Sequence, residues 1–178
     1  MDKSVSSLWA KRSLYVALAI IVMFLHLLPL DTKPGRLPFP DIMIALTYAW
    51  VLRRPEYVPI LTIAVVMFMA DLLLQRPPGL LAALVVLGAA YLHSASVGMK
   101  DLGFIGEWTT VGAVITVVFV LNRLLLAILS VQQASLGPVV VQVVLTIAIY
   151  PLMVLMSQSA FGVRRKSVAD STMPRVRS

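Results

Sequence analysis

A few polar side chains interrupt the long apolar stretches of this sequence. Asp71 stands in "VVMFMADLLLQRPPG", Arg123 follows Asn122 in "FVLNRLLLAIL", and His26 and Gln142 occupy similar runs. A carboxylate and a guanidinium can form an ion pair, and a nearby histidine can carry a proton. These residue types could therefore form a structural ion pair, a ligand site or a proton relay.

Other kinds of chemistry have little support in the sequence. Ser, His and Asp occur without a spacing typical of catalysis, and no zinc-protease motif, phosphate loop or nucleophile elbow is present. The chain contains no cysteine, which excludes disulfides and thiolate chemistry. His93, beside Ser94 and Ser96, fits a hydrogen-bonded side chain better than a proton carrier. We expect no enzyme, no bound metal and no cofactor.

The composition indicates what must position these side chains. Of 178 residues, 60% are hydrophobic and 13% are charged, against about 25% charged in an ordinary soluble domain. The net charge is +7, but the basic residues cluster at the ends of apolar runs, as in membrane anchoring. We therefore predict an all-α membrane protein that binds the lipid bilayer and no nucleic acid. The first apolar run has no cleavage site after it, so we interpret it as an uncleaved span.

Prolines and glycines divide the apolar sequence into six predicted transmembrane helices. Asp41 follows Pro40 and is a predicted N-cap. The helix that begins after Asp41 has about twelve residues and is therefore about 18 Å long, whereas the hydrocarbon core of a bilayer is roughly 30 Å thick. Pro151 should kink the last helix. The predicted helices cover about residues 13–30, 41–52, 57–74, 79–97, 108–131 and 138–161, within a transmembrane domain of residues 1–162. A basic cytoplasmic tail, 163–178, is expected to be disordered.

The basic residues also predict an orientation. With six crossings, eleven Lys and Arg residues fall on one side, three fall on the other, and Arg123 lies inside a helix. The positive-inside rule then puts both termini in the cytoplasm, provided that helices two and three are separate crossings. If helices two and three formed one broken crossing, the basic cluster 164–166 would face outward, against that rule.

Depth along the helices groups the intramembrane polar residues. Counted from the cytoplasmic starts, Asp71, Arg123 and His26 all lie about 20 Å deep, and Gln142 falls near the same level, as does Asn122. We predict a contact between Asp71 and Arg123, with His26 or Gln142 nearby. Two alternatives are that Arg123 extends outward to water while Asp71 is hydrated, or that the layer is a ligand or proton site.

One stretch resembles a known family. The sequence "PDIMIALTYAWVLRRPEYVPILTIAVVMFMADLLLQRPPGLLAALVV", Pro40 to Val86, is similar to the core of the rod shape-determining protein MreD family. The family opens its second helix with Pro-Asp, ends it with an aromatic and basic segment, and places Asp-Leu-Leu before a turn that ends in Gly-Leu. Gln75, Arg76 and Pro77 stand where many members carry Ser or Gly. The motif positions here include Pro40, Asp41, Trp50, Arg53, Arg54, Asp71, Pro78 and Gly79.

The resemblance implies a fold similar to the substrate-binding components of energy-coupling-factor transporters. It also implies a non-catalytic inner-membrane scaffold of the bacterial cell-elongation machinery, or elongasome, which supports lateral peptidoglycan synthesis and rod cell shape. The expected direct partner is MreC, within a wider complex of MreB, RodZ, RodA and a class B penicillin-binding transpeptidase. The basic clusters at Arg53, Arg54 and Arg164 to Lys166 would then meet anionic lipid, the default, or MreB.

Two points remain open at the level of sequence. Small residues such as Gly88 and Gly112 could admit a partner helix, or they could pack the bundle itself. The alternative function is a small-molecule-binding membrane component of a transporter, with the polar layer as its site. Against that alternative, the first helix lacks the Ala-x-x-x-Ala pattern of such components: Ala17 and Ala19 are followed four residues later by Ile21 and Met23.

Overall fold

The computed structural model describes residues 3–28, 39–96, 103–133 and 135–159. These residues form six α-helices, one short 3-10 helix and no strand. The α-helices are α1 (Lys3–Leu27), α2 (Ile42–Arg53), α3 (Ile60–Leu73), α4 (Leu80–Ala95), α5 (Gly103–Ile128) and α6 (Leu136–Ser159), and the 3-10 helix is Pro55–Tyr57. The predicted all-helical class is confirmed, and the described residues form the predicted number of α-helices.

Several predicted helix ends were wrong. α1 begins at Lys3, ten residues before the predicted start, and α3 begins at Ile60, after the 3-10 helix. α5 begins at Gly103, so the segment up to Glu107, predicted as a loop, is helical. α6 continues through Pro151 as one helix. The predicted ends at residues 30, 97 and 161, and the tail 163–178, lie outside the described residues.

The short helix α2 is the centre of the bundle. Every residue from Met43 to Arg53 is buried, and Trp50 and Tyr48 are fully enclosed. α2 packs most extensively on α6, and it also contacts α4 and α1. The other helices neighbour one another around it in the order α1, α3, α4, α5, α6. The hydrophobic core is therefore organised around one enclosed helix.

The outer faces of the surrounding helices are apolar. Leu61 on α3, Ile105 and Ile128 on α5, and Leu155 on α6 are all at least 60% exposed. Three helical segments are long and apolar enough to cross a membrane: Ser6–Leu27 of α1, and the whole of α5 and α6. Helices α2, α3 and α4 are shorter apolar helices. The architecture is consistent with a membrane protein, since exposed apolar faces suit contact with lipid.

Two ends of the bundle can be distinguished. One end, called the turn end, contains the α3–α4 turn, the α5–α6 turn and the start of α2. The opposite end contains the end of α2, the 3-10 helix and the start of α5. At the opposite end, Arg12 donates from Nε to the carbonyl oxygen of Glu56 (3.2 Å), which joins α1 to the 3-10 helix.

Candidate functional site

Asp71 acts as a helix cap in the α3–α4 turn. Its side chain is buried, and Oδ2 accepts hydrogen bonds from the backbone N–H groups of Gly79 (3.2 Å) and Ala82 (3.0 Å). These N–H groups lie at the start of α4, where they have no helical acceptor. Gly79 precedes α4 with φ +83° and has no side chain that could cap it. Asp71 therefore supplies, from the preceding helix, the acceptor that an ordinary N-cap residue would provide.

The predicted contact between Asp71 and Arg123 does not form in the described part of the chain. The carboxylate of Asp71 bonds to the backbone of α4, and its neighbouring charged groups are Arg76 and Asp41. Helix α4 lies between α3 and α5 in the bundle. Asp71 and Arg123 therefore stand on helices that are not neighbours.

Asp41 joins three elements at the turn end. Its Oδ1 accepts from the N–H of Ile44 (3.3 Å), which confirms the predicted N-cap of α2. Its Oδ2 pairs with Nη1 of Arg76 (3.2 Å), and its own N–H donates to Oγ1 of Thr146 (2.9 Å). Arg76, which departs from the family pattern, thus connects the α3–α4 turn to the start of α2.

The predicted polar layer consists of the five residues at similar depth, Asp71, Arg123, His26, Asn122 and Gln142. Three of them line one cavity at the turn end. We call it the arginine cavity; its volume is about 280 Å³. Asn122 and Arg123 come from α5 and Gln142 from α6, and the α3–α4 turn and the α5–α6 turn complete the wall. The polar lining residues are Arg76, Asn122, Arg123, Gln132, Gln133 and Gln142.

His26 lies apart from this cavity. Its Nδ1 is 3.2 Å from the carbonyl oxygen of Val22 in the preceding turn of α1, and its ring meets Phe39 edge to face at 5.4 Å. Asp71 also does not line the cavity. The predicted layer is therefore divided into a cavity group, a helix cap and a histidine held by its own helix.

A buried polar network at the opposite end was not predicted. Nη2 of Arg53 pairs with Oε1 of Glu107 (2.9 Å), and the same oxygen accepts from the hydroxyl of Tyr150 (2.6 Å). All three side chains are buried, and Nε of Arg53 has no hydrogen-bond partner in the described structure. The network links α2, α5 and α6.

Glu107 escaped prediction because the start of α5 was placed at Trp108, five residues after its actual start at Gly103, so Glu107 was assigned to a loop. An arginine at the end of the otherwise apolar α2 was a signal that a buried acidic partner should be sought. The expectation that Arg53 meets lipid or MreB was wrong, because Arg53 is only 6% exposed. Arg54 is partly exposed and lies over the ring of Tyr57 at 5.8 Å.

The small residues proposed for docking pack the bundle itself. Gly88 on α4 is buried, and a Cβ there would collide with the hydroxyl of Tyr48, which donates to the carbonyl oxygen of Val85 (3.3 Å). Gly112 on α5 faces Ile147 of α6. Neither glycine is open to a partner.

The remaining motif residues are also structural. Trp50, fully buried, donates from Nε1 to Oγ of Ser157 on α6 (2.9 Å). Pro40 precedes the cap of α2, and Pro78 lies in the turn before Gly79. His93 is exposed, and its carbonyl oxygen accepts from Oγ of Ser96 (2.6 Å).

Among the described residues, no group of three or more His, Asp or Glu side chains could hold a metal ion. Comparison with known proteins gave no matching family model, no matching curated protein and no matching solved structure. Assignment of a function therefore depends on the residues and their geometry.

Proposed function

We propose that this chain is a non-catalytic scaffold subunit of the bacterial cell-elongation machinery that binds MreC in the inner membrane. The observation that carries the proposal is the set of hydrogen bonds that the MreD-like motif residues make. Asp41, Trp50, Arg53 and Asp71 all bond within the bundle, to a helix start, a serine, a glutamate and a second helix start. Such bonds fix a shape, and a fixed shape is what a scaffold contributes.

The proposal includes six membrane crossings with both termini in the cytoplasm. The ion pair of Arg76 with Asp41 supports it, because it puts the α3–α4 turn beside the start of α2. Helices α2 and α3 therefore run in opposite directions, as two separate crossings would. α2 spans about 18 Å, and because its neighbours enclose it, it need not match the hydrocarbon thickness itself.

The absence of cysteine allows a direct test of the crossings. Ser6→Cys near the start of α1 and Ser130→Cys in the α5–α6 turn would be labelled in intact cells with a membrane-impermeant thiol reagent. Six crossings predict labelling at position 130 and protection at position 6. Equal labelling at both positions would contradict them. A Ser96→Cys variant, at the end of α4, should behave like position 6.

A groove between α3 and α4 is the proposed docking surface for the single transmembrane helix of MreC. We call it the α3–α4 groove; its volume is about 430 Å³, and small side chains on both helices would allow close approach of a third helix. Its lining residues are Ala64, Val65, Phe68, Met69, Gly79, Ala82, Ala83 and Val86.

Co-purification of MreC tests both the scaffold and the groove. Ala83→Phe would fill the groove from an exposed position, and Ala113→Phe would add the same bulk to an exposed position on α5. We expect Ala83→Phe to lower MreC recovery and to round the cells, while Ala113→Phe changes neither. Normal recovery of MreC with both variants would exclude the groove, and failure of the unaltered chain to retain MreC would exclude the scaffold.

A second candidate function is a small-molecule-binding component of a transporter, and the arginine cavity is the observation that favours it. Two arginines and four side-chain amides line this cavity, a density of polar groups that a scaffold does not need. Mass spectrometry of the purified protein distinguishes the candidates: a stoichiometric soluble metabolite favours transport, and retained MreC favours the scaffold.

A further inference from the structure

We propose that the arginine cavity binds a phosphate group, carried by an anionic lipid headgroup or by a soluble phosphate compound. The cavity is open at the turn end, between the α3–α4 turn, the end of α5 and the start of α6. It holds about 280 Å³, enough for a headgroup and the first carbons of its chains but too little for a whole lipid.

The charges lining the cavity favour an anion. Arg76 and Arg123 are both on its wall, and the described lining residues include no Asp or Glu. Asp41 pairs with Nη1 of Arg76 and compensates part of that charge. The wall still offers two planar guanidinium groups, each with several N–H donors that suit phosphate oxygens.

Four amide side chains extend this set of donors. Gln133 already donates from Nε2 to the carbonyl oxygen of Arg123 (3.1 Å), which ties the α5–α6 turn to the end of α5 and positions the arginine backbone. Asn122, Gln132 and Gln142 complete the polar wall. Amide N–H groups serve a phosphate as neutral donors and add no charge to be desolvated.

The apolar part of the wall points to an amphiphilic ligand. Leu81, Phe119 and Val139 line the same cavity as the arginines. The ends of α5 and α6 beside it carry exposed leucine and valine, including Leu125 and Val140. A phosphate in the cavity would thus leave attached hydrocarbon chains on an apolar helix surface.

Binding is measured on the purified full chain in phosphatidylcholine nanodiscs. The probes are phosphatidylglycerol, added to the nanodisc, and inorganic phosphate, added to the solution. Native mass spectrometry counts retained phosphatidylglycerol, and thermal unfolding reports stabilisation by either probe. Arg123→Gln removes the charge at similar length, Arg123→Lys keeps it, and Arg54→Gln is the control, because Arg54 lies at the opposite end of the bundle.

We expect phosphatidylglycerol to be retained, with about tenfold weaker retention for Arg123→Gln, since a charged hydrogen bond to phosphate has about that effect on affinity. Arg123→Lys should recover part of the retention that Arg123→Gln loses, and Arg54→Gln should retain as much phosphatidylglycerol as the unaltered protein. Competition by millimolar inorganic phosphate would assign the site to a soluble phosphate compound, and lack of competition would assign it to lipid.

Equal retention by Arg123→Gln and the unaltered protein would overturn the proposal. If Arg123→Gln is unstable in phosphatidylcholine, Gln142→Met gives the second test, since it removes one polar donor at similar volume. Unchanged retention of phosphatidylglycerol by Gln142→Met would also count against the site.

Discussion

Trp108 donates its indole N–H to the carbonyl oxygen of Ile147 on α6, over 2.9 Å. That carbonyl is four residues before Pro151, which has no N–H to donate to it. A side chain of α5 thus replaces a backbone hydrogen bond that α6 cannot make, and this allows α6 to continue through its proline.

Removal of this indole donor should destabilise the protein only while Pro151 is present. Trp108→Phe keeps an aromatic ring and leaves the carbonyl unpaired, which costs about 1 to 3 kcal/mol. In a Pro151→Ala background, residue 151 has a backbone N–H that can donate to the carbonyl oxygen of Ile147. Trp108→Phe should then lower the stability by less. Thermal or denaturant unfolding of the four proteins in detergent measures the difference. Trp9→Phe, at an exposed tryptophan, is the control.

The buried pair of Arg53 and Glu107 should be costly to break from one side. Arg53→Met leaves a buried carboxylate that still accepts from the hydroxyl of Tyr150 but has lost its guanidinium partner, and loss of about 3 to 5 kcal/mol is expected. Arg53→Met with Glu107→Leu removes both charges and should recover much of that loss. Unfolding measurements would contradict the pair if the double variant were as unstable as the sum of the single variants. Arg54→Met should have little effect.

Asp71 should behave as a helix cap and not as the partner of Arg123. Asp71→Ala should lower stability by about 1 to 2 kcal/mol, because two N–H groups at the start of α4 lose their acceptor. Asp71→Asn, which keeps an oxygen acceptor, should cost less. The double swap Asp71→Arg with Arg123→Asp should not restore the membrane level of the protein, and full recovery by that swap would disprove the cap interpretation.

Gly88 should tolerate a methyl group better when Tyr48 loses its hydroxyl. Gly88→Ala forces a shift of a fully buried side chain, and overpacking of this kind costs about 1 to 3 kcal/mol. Combination with Tyr48→Phe removes the closest contact and should recover part of that cost, because Val114 Cγ1 would still lie 3.0 Å from the added carbon. Gly112→Ala is the matched control, since a Cβ there would lie 3.4 Å from the nearest carbon of Ile147. Unfolding temperatures should therefore fall for Gly88→Ala and not for Gly112→Ala.

Local sequence signals predicted the helices and one cap. Runs of apolar residues bounded by prolines and glycines indicate helices whatever their neighbours, and Pro-Asp before such a run indicates an N-cap. The N-cap formed by Asp41 could be predicted from this local pattern alone. The depth of a residue along its helix is also local, and it correctly brought Asn122, Arg123 and Gln142 to one level.

Depth alone does not give the direction in which a side chain points or the order of helices around the bundle. Asp71 and Arg123 were predicted to meet because they lie at similar depths, but α4 separates their helices. The actual partners of Asp71 are backbone groups that come within reach only when the α3–α4 turn closes around Gly79. The pairing of Arg53 with Glu107, far apart in the sequence, likewise depends on how α2 is enclosed.

The enclosed position of α2 has a consequence for the way the protein is made. A helix of twelve residues is too short to settle across the hydrocarbon on its own as the chain is synthesised. Its most extensive contacts are with α6, the last of the described helices along the chain. We therefore expect α2 to reach its enclosed position only after α6 has been synthesised, and a chain truncated before Leu136 should leave this central helix uncovered.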